Sequence, residues 1–102
     1  MDFSMIKQAM ELKNKMTKVQ KELAKTFIEE EALDGQIKVT VTGQQKLMKL
    51  EIKQSLLDED AKADYLAKEI TKAIIKATEK SQKIADEKMK ELTGGINLPG
   101  LT

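Results

Sequence analysis

The feature that most constrains this chain is the length of its last helical run. Leu66, Ile70, Ala73, Ile74, Ala77, Ile84 and Leu92 recur at helical spacings, which sets them along one side of a helix. Upstream, Ser55-Leu56-Leu57-Asp58 has capping-box spacing, with Asp where Glu is favoured. Asp58-Glu59-Asp60 adds negative charge where a helix start prefers it. Downstream, Thr93-Gly94-Gly95 supplies a stop, because Gly readily takes the left-handed cap conformation. A continuous helix from Ala61 to Leu92 reaches roughly 48 Å. A compact domain of this size has a radius of gyration of about 13 Å and a diameter of about 33 Å. The helix must therefore kink or project beyond the body. A projecting apolar stripe needs cover, and a second copy of the chain is the simplest source, so helix length predicts a homodimer.

The first segment is also helical. Met5, Ala9, Leu12, Met16, Val19, Leu23 and Thr26 alternate spacings of four and three, a heptad seam. Ile6 and Met10 widen it. The residues between are Lys, Gln, Glu and Asn, which suit a solvated face. From Ser4 to Lys25 such a helix spans roughly 33 Å. Phe27 to Leu33 reads as a short strand, although Glu29-Glu30-Glu31 interrupts its alternation. Asp34-Gly35 is a hairpin signal. Ile37, Val39 and Val41 alternate with Lys38, Thr40 and Thr42, a half-buried antiparallel strand. After a turn at Gly43-Gln44-Gln45, Met48, Leu50 and Ile52 alternate with Lys49, Glu51 and Lys53 in a third strand. The predicted fold is α+β: α-β-β-β-α, a three-stranded antiparallel sheet between two long helices, as a homodimer with projecting helical arms. Residues 1–95 form a single domain in this reading, and 96–102, with Pro99-Gly100, a flexible tail.

Absent residue types exclude more than present ones suggest. The chain has no His, Cys or Trp, and all 18 of its basic residues are Lys. Without His or Cys the usual general bases, nucleophiles and soft-metal ligands are missing. No Gly-rich phosphate loop or nucleophile elbow is found. The expectation is a protein that is not an enzyme and takes no cofactor, metal or small-molecule substrate. Glu29-Glu30-Glu31 and Asp58-Glu59-Asp60 lack a calcium-loop pattern and read as a charged edge and a helix start. The six methionines read as core or seam filler, with a soft binding surface as the alternative. No signal-peptide core or membrane-length apolar run is found, so a cytoplasmic protein with no membrane partner is expected.

Net charge is only +1, but it is unevenly spread. Residues 1–26 carry six Lys against three acids; residues 27–60 carry four Lys against eight acids; residues 61–102 carry eight Lys against six acids. The helical ends are basic and the strand region is acidic. In the last helix Lys68, Lys72, Lys76 and Lys80 follow at intervals of four, and Lys83 falls within the same arc. Like charges at that spacing disfavour an isolated helix slightly. One reading is a phosphate-facing ridge; the other is a solvated face of an exposed helix, which periodicity alone favours. In the first helix the lysines point several ways, which suits solubility better than a footprint, with Lys13 and Lys15 as supporting contacts. Absence of Arg removes the planar fork that reads guanine and enters narrow minor grooves. Any DNA binding should be backbone-dominated and weakly selective.

Taken in order, the chain resembles the YbaB/EbfC family of small bacterial nucleoid-associated proteins over nearly its whole length. The residues that carry the likeness are Met5-Ile6-Lys7-Gln8-Ala9-Met10 with its helix, the strand pair, Ser55-Leu56-Leu57-Asp58, and above all Leu92-Thr93-Gly94-Gly95-Ile96-Asn97-Leu98-Pro99-Gly100-Leu101. The resemblance implies a DNA-binding homodimer whose subunits join through the sheet region and extend paired helices as arms. It raises the Lys68–Lys83 ridge to a candidate DNA contact. The departures are one Gly where the family has a Gly-rich segment before the second strand, Lys53-Gln54 where Asp-Pro is common, and the missing Arg. They bear on DNA affinity and preference rather than on fold. The expected function is non-catalytic binding of duplex DNA in the nucleoid, in chromosome organisation or gene regulation. The rival is a protein-interaction adaptor using its apolar helix seams or its tail.

Overall fold

Asp2 opens the first helix: its carboxylate accepts hydrogen bonds from the Ser4 amide at 3.3 Å and the Ser4 hydroxyl at 2.9 Å, satisfying an otherwise orphaned N–H. In this computed structural model, which describes residues 2–58 and 62–94, the order is α1 (Phe3–Ala24), β1 (Phe27–Ala32), β2 (Ile37–Thr42), β3 (Leu47–Ile52), a 3-10 turn (Gln54–Leu57) and α2 (Ala63–Thr93). The strands form one antiparallel sheet in the order β1-β2-β3. The α-β-β-β-α fold expected from periodicity is the fold observed.

Turn chemistry sets the register. Asp34 and Gly35 both have positive φ, 55° and 82°, and the Gln36 amide donates to the Leu33 carbonyl at 3.2 Å. These are the requirements of the primed turn that Asp-Gly favours. Leu33 belongs to this turn, so β1 ends at Ala32. In the second hairpin Gln45 takes the left-handed conformation (φ 62°).

Pairing places Ala32 opposite Ile37, Glu30 opposite Val39 and Ile28 opposite Val41, all on the face that α2 covers. Glu29 and Glu31 lie on the other face, where Lys38 Nζ sits 3.9 and 3.7 Å from them. The glutamate run that obscured β1 is thus ordinary alternation with one acid turned inward. A register shift at Thr40/Val41 sets Leu47 opposite Val41 while Leu50 stays opposite Val39. Leu47, not Met48, therefore joins Leu50 and Ile52 on that face, because the bulge adds a residue that periodicity cannot show.

The core consists of Ile28, Ile37, Val39 and Val41 from the sheet and Ala73 and Ala77 from α2. Each fully buried aliphatic side chain contributes about 1.5–3 kcal/mol. Ala73, Ala77 and the equally buried Ser81 recur every four residues, and their small size seats α2 low on the sheet. The Ser81 hydroxyl donates to the Thr42 carbonyl at 2.6 Å and accepts from Gln45 Nε2 at 3.1 Å. Beside it, the Gly43 amide donates to the Leu23 and Thr26 carbonyls, both at 2.9 Å. A Cβ at Gly43 would lie 2.7 Å from the Leu23 oxygen, so only Gly lets the end of α1 abut this turn.

From this junction α1 and α2 leave the sheet together. Lys88 Nζ lies 3.9 Å from Glu22, and Gln20, Gln82, Asp86 and Met89 border one cleft. The molecule measures 70 × 20 × 17 Å with a radius of gyration of 19.0 Å, well above the ~13 Å of a compact domain. The projection inferred from helix length is present, and both helices take part. Every α1 residue from Phe3 to Glu11 is exposed, and Leu12 is the first to be half-buried.

The helix start is corrected. Ser55 lies within the separate 3-10 turn, and the residue before α2, Lys62, makes no side-chain cap. The Ser-x-x-Asp spacing therefore does not cap α2. Glu59, Asp60 and Ala61 fall outside the described residues, as does the expected 96–102 tail. At the other end Gly94 takes the left-handed cap (φ 65°) and its amide donates to the Lys90 carbonyl.

Candidate nucleic-acid interface

The five lysines of the predicted ridge all lie on α2 and are all exposed. At 3.6 residues per turn, steps of four drift by roughly 40°, so Lys68 and Lys80 differ by roughly 120° around the axis. The row therefore winds from the outer surface at Lys68 down to the flank of α2 that faces β1. That descent determines what each ammonium meets.

Lys72 pairs with Glu69 on its own helix at 3.4 Å. Lys76 and Lys80 both reach Glu30 of β1, at 4.0 Å from Oε2 and 3.5 Å from Oε1. Glu30 is the acid turned toward α2, and its side chain is only 15% exposed. Among the described residues, Lys68 and Lys83 have no acid within 4.0 Å. The lysine end of each pair is exposed, so water or another anion can reach each ammonium. Glu30 was missed in the sequence; its signal is its place between Ile28 and Ala32 in an alternating strand.

Lys13 and Lys15 lie elsewhere. Ser81 and Leu23 sit next to each other through Thr42 and Gly43. At 1.5 Å per residue, Lys68 is roughly 20 Å along α2 on one side of that junction, and Lys13 roughly 15 Å along α1 on the other. Both α1 lysines are exposed, and Lys13 borders an apolar surface formed by Met5, Ile6, Ala9 and Met10. The candidate lysines are thus strung along the long axis rather than gathered in one cleft, a layout suited to an extended polyanion and not to a small anion.

Among the described residues no group of three or more acids could hold a metal ion, and no helix is long and apolar enough to cross a membrane. Glu29 and Glu31 turn away from Glu30, which breaks up the first acidic run. Glu59 and Asp60 of the second lie outside the described residues.

A family model described as the YbaB/EbfC DNA-binding family matches residues 2–96. The chain belongs to that family. The YbaB/EbfC resemblance read from the two ends of the sequence therefore holds across the chain, and DNA binding is a family description, not an enzyme class. The chain is 34% identical over 103 residues to the nucleoid-associated protein DP1429 of Desulfotalea psychrophila, covering 100% of this chain and 96% of that one. Its fold matches the crystal structure of the uncharacterized protein HP0035 from Helicobacter pylori with a TM-score of 0.78. That match is 18% identical and covers 92% of this chain and 99% of the other.

Proposed function

We propose that this YbaB/EbfC protein is a homodimeric nucleoid-associated protein that binds duplex DNA, without catalysis, chiefly through phosphate contacts. Lys68, Lys72, Lys76, Lys80 and Lys83 are the principal contacts, with Lys13 and Lys15 in support. The observation that carries this reading is the exposed lysine row on α2, because a linear set of point charges suits a phosphate backbone. Family membership supports the DNA partner, and the name of the Desulfotalea relative supports a nucleoid location in the cytoplasm. Absence of Arg argues for positioning contacts over base reading. Chromosome organisation or gene regulation is the corresponding role.

Dimerisation is supported by what α2 leaves bare. It packs on β1 and β2, while Leu47 and Leu50 on the same face of β3 are exposed. Exposed apolar strand edges are normally covered, and a second sheet region does so here.

The test is fluorescence anisotropy with a random-sequence duplex, titrated from low to physiological salt. Each neutralised phosphate contributes about −0.9 to the log–log slope, so saturable binding with a slope of several units is expected. No binding at low salt would sink the reading, leave the fold unchanged and move the function to the protein-interaction adaptor.

A further inference from the structure

α1 carries an apolar surface that no described part of the chain covers. Phe3 is 87% exposed, Met5 65% and Met10 61%, and Ile6 is also exposed. Met5, Ile6, Ala9 and Met10 form one continuous patch edged by Lys13. Patches of this kind on small proteins mark interaction surfaces. The surface lies beyond the end of α2. Every α1 residue before Leu12 is exposed, whereas Leu12, Met16, Val19 and Leu23 are half-buried or buried.

The end of α2 lies close by. Glu22 and Lys88 meet at 3.9 Å, and both helices run outward from the sheet. Five residues beyond Lys88, at Thr93, α2 has advanced about 7.5 Å and stands level with Thr17. Met10 is then roughly 10 Å farther along α1, and Met5 roughly 18 Å. The left-handed Gly94 turns the chain out of the helix, and residues 95–102 can reach about 26 Å at 3.3 Å each. Those residues, Gly-Ile-Asn-Leu-Pro-Gly-Leu-Thr, carry no charged side chain and contain Ile96, Leu98 and Leu101. In an extended run Ile96 and Leu98 point to the same side. An uncharged segment with three large aliphatics thus starts within reach of an uncovered apolar surface on its own chain.

We propose that the Met5–Met10 face of α1 is the docking site for the Ile96–Leu101 segment of the same chain. Met10 and Ala9 lie nearest the end of α2 and receive Ile96 and Leu98. Met5 and Ile6 receive Leu101. Methionines line the seat because their unbranched chains adapt to an irregular partner. The site is independent of the lysine row and does not rest on DNA binding.

Absence of cysteine makes the test direct. In the full chain, Met10→Cys with Leu98→Cys should close to an intrachain disulfide under mild oxidation. It should close about tenfold faster than Glu11→Cys with Leu98→Cys, since docking raises the local concentration of one pair and not the other. Glu11 is exposed and on the opposite side of the helix, so equal rates would overturn the proposal, and covalent dimers would reassign the seat to a second copy. Methyl NMR of the reduced protein provides an independent readout. Leu98→Asp should shift the Met5 and Met10 methyl resonances and leave Met48 in place; unmoved Met5 and Met10 signals would also overturn it.

Discussion

The Ser81 hydroxyl donates to the Thr42 carbonyl at 2.6 Å across 39 residues, and neither residue is appreciably exposed to solvent. This bond joins α2 to the turn between β2 and β3 at the point where Gly43 meets the end of α1. Three elements are held by one small group of atoms. Ser81→Ala removes one partner from the Thr42 carbonyl and one from the Gln45 side-chain amide, which keep bonds to the Gln45 backbone amide at 3.0 Å and the Gly43 carbonyl at 2.8 Å, at a cost of about 0.5–1.5 kcal/mol. Thermal denaturation should show Tm falling by about 4–8 °C for each kcal/mol lost. An unchanged Tm would mean that water replaces the hydroxyl.

Gly43→Ala tests the same junction from the other side. Its methyl group would stand 2.7 Å from the Leu23 carbonyl oxygen and 2.9 Å from Leu23 Cδ2. The nearer contact is backbone, so relief requires moving α1 away from the sheet. Overpacking of this kind costs about 1–3 kcal/mol. Urea denaturation is expected to show a lower midpoint at unchanged slope, with amide exchange in the Leu23–Thr26 segment accelerated.

How much of this was legible beforehand depends on the range of the interaction. The seam of α1, the alternation of β2 and the Gly94 stop are local patterns, and each sits where its spacing placed it. The bulge that swaps Leu47 for Met48 is a property of strand pairing, which only the partner strand determines. Ser55 illustrates a local signal that tertiary context overrides, since it lies inside a 3-10 turn and not at the start of α2. The lysine row was visible as a period of four. That two of its members lean on Glu30 was hidden, because the acid belongs to a strand about fifty residues earlier.

Leu50→Asp tests the dimer. Leu50 is 41% exposed on the bare face of β3, so a charge there costs the single chain little. Buried between two sheets it would be an unpaired carboxylate, costing several kcal/mol. Sedimentation velocity should show the wild type at dimer mass and the variant at monomer mass, with circular dichroism unchanged. A wild type that sediments as a monomer would remove the interface from β3.

Glu30 ties up part of the lysine row proposed to contact phosphate. Its inward-turned carboxylate holds Lys80 at 3.5 Å and Lys76 at 4.0 Å, so on the proposed reading a duplex would compete with an acid of the chain for two of the five ammonium groups. Glu30→Gln keeps the shape of the side chain and removes the charge. The salt slope should then steepen by about 0.9 for each lysine released to a phosphate, and affinity at low salt should rise several-fold. Folding stability should change by no more than about 1 kcal/mol, because both lysines stay exposed. Glu79→Gln is the control: Glu79 is exposed on the same helix and forms none of the ion pairs found among the described residues. If both variants tighten binding equally, the gain is only the overall charge of the helix. If Glu30→Gln alone steepens the slope, the two lysines that Glu30 holds are the ones the DNA uses.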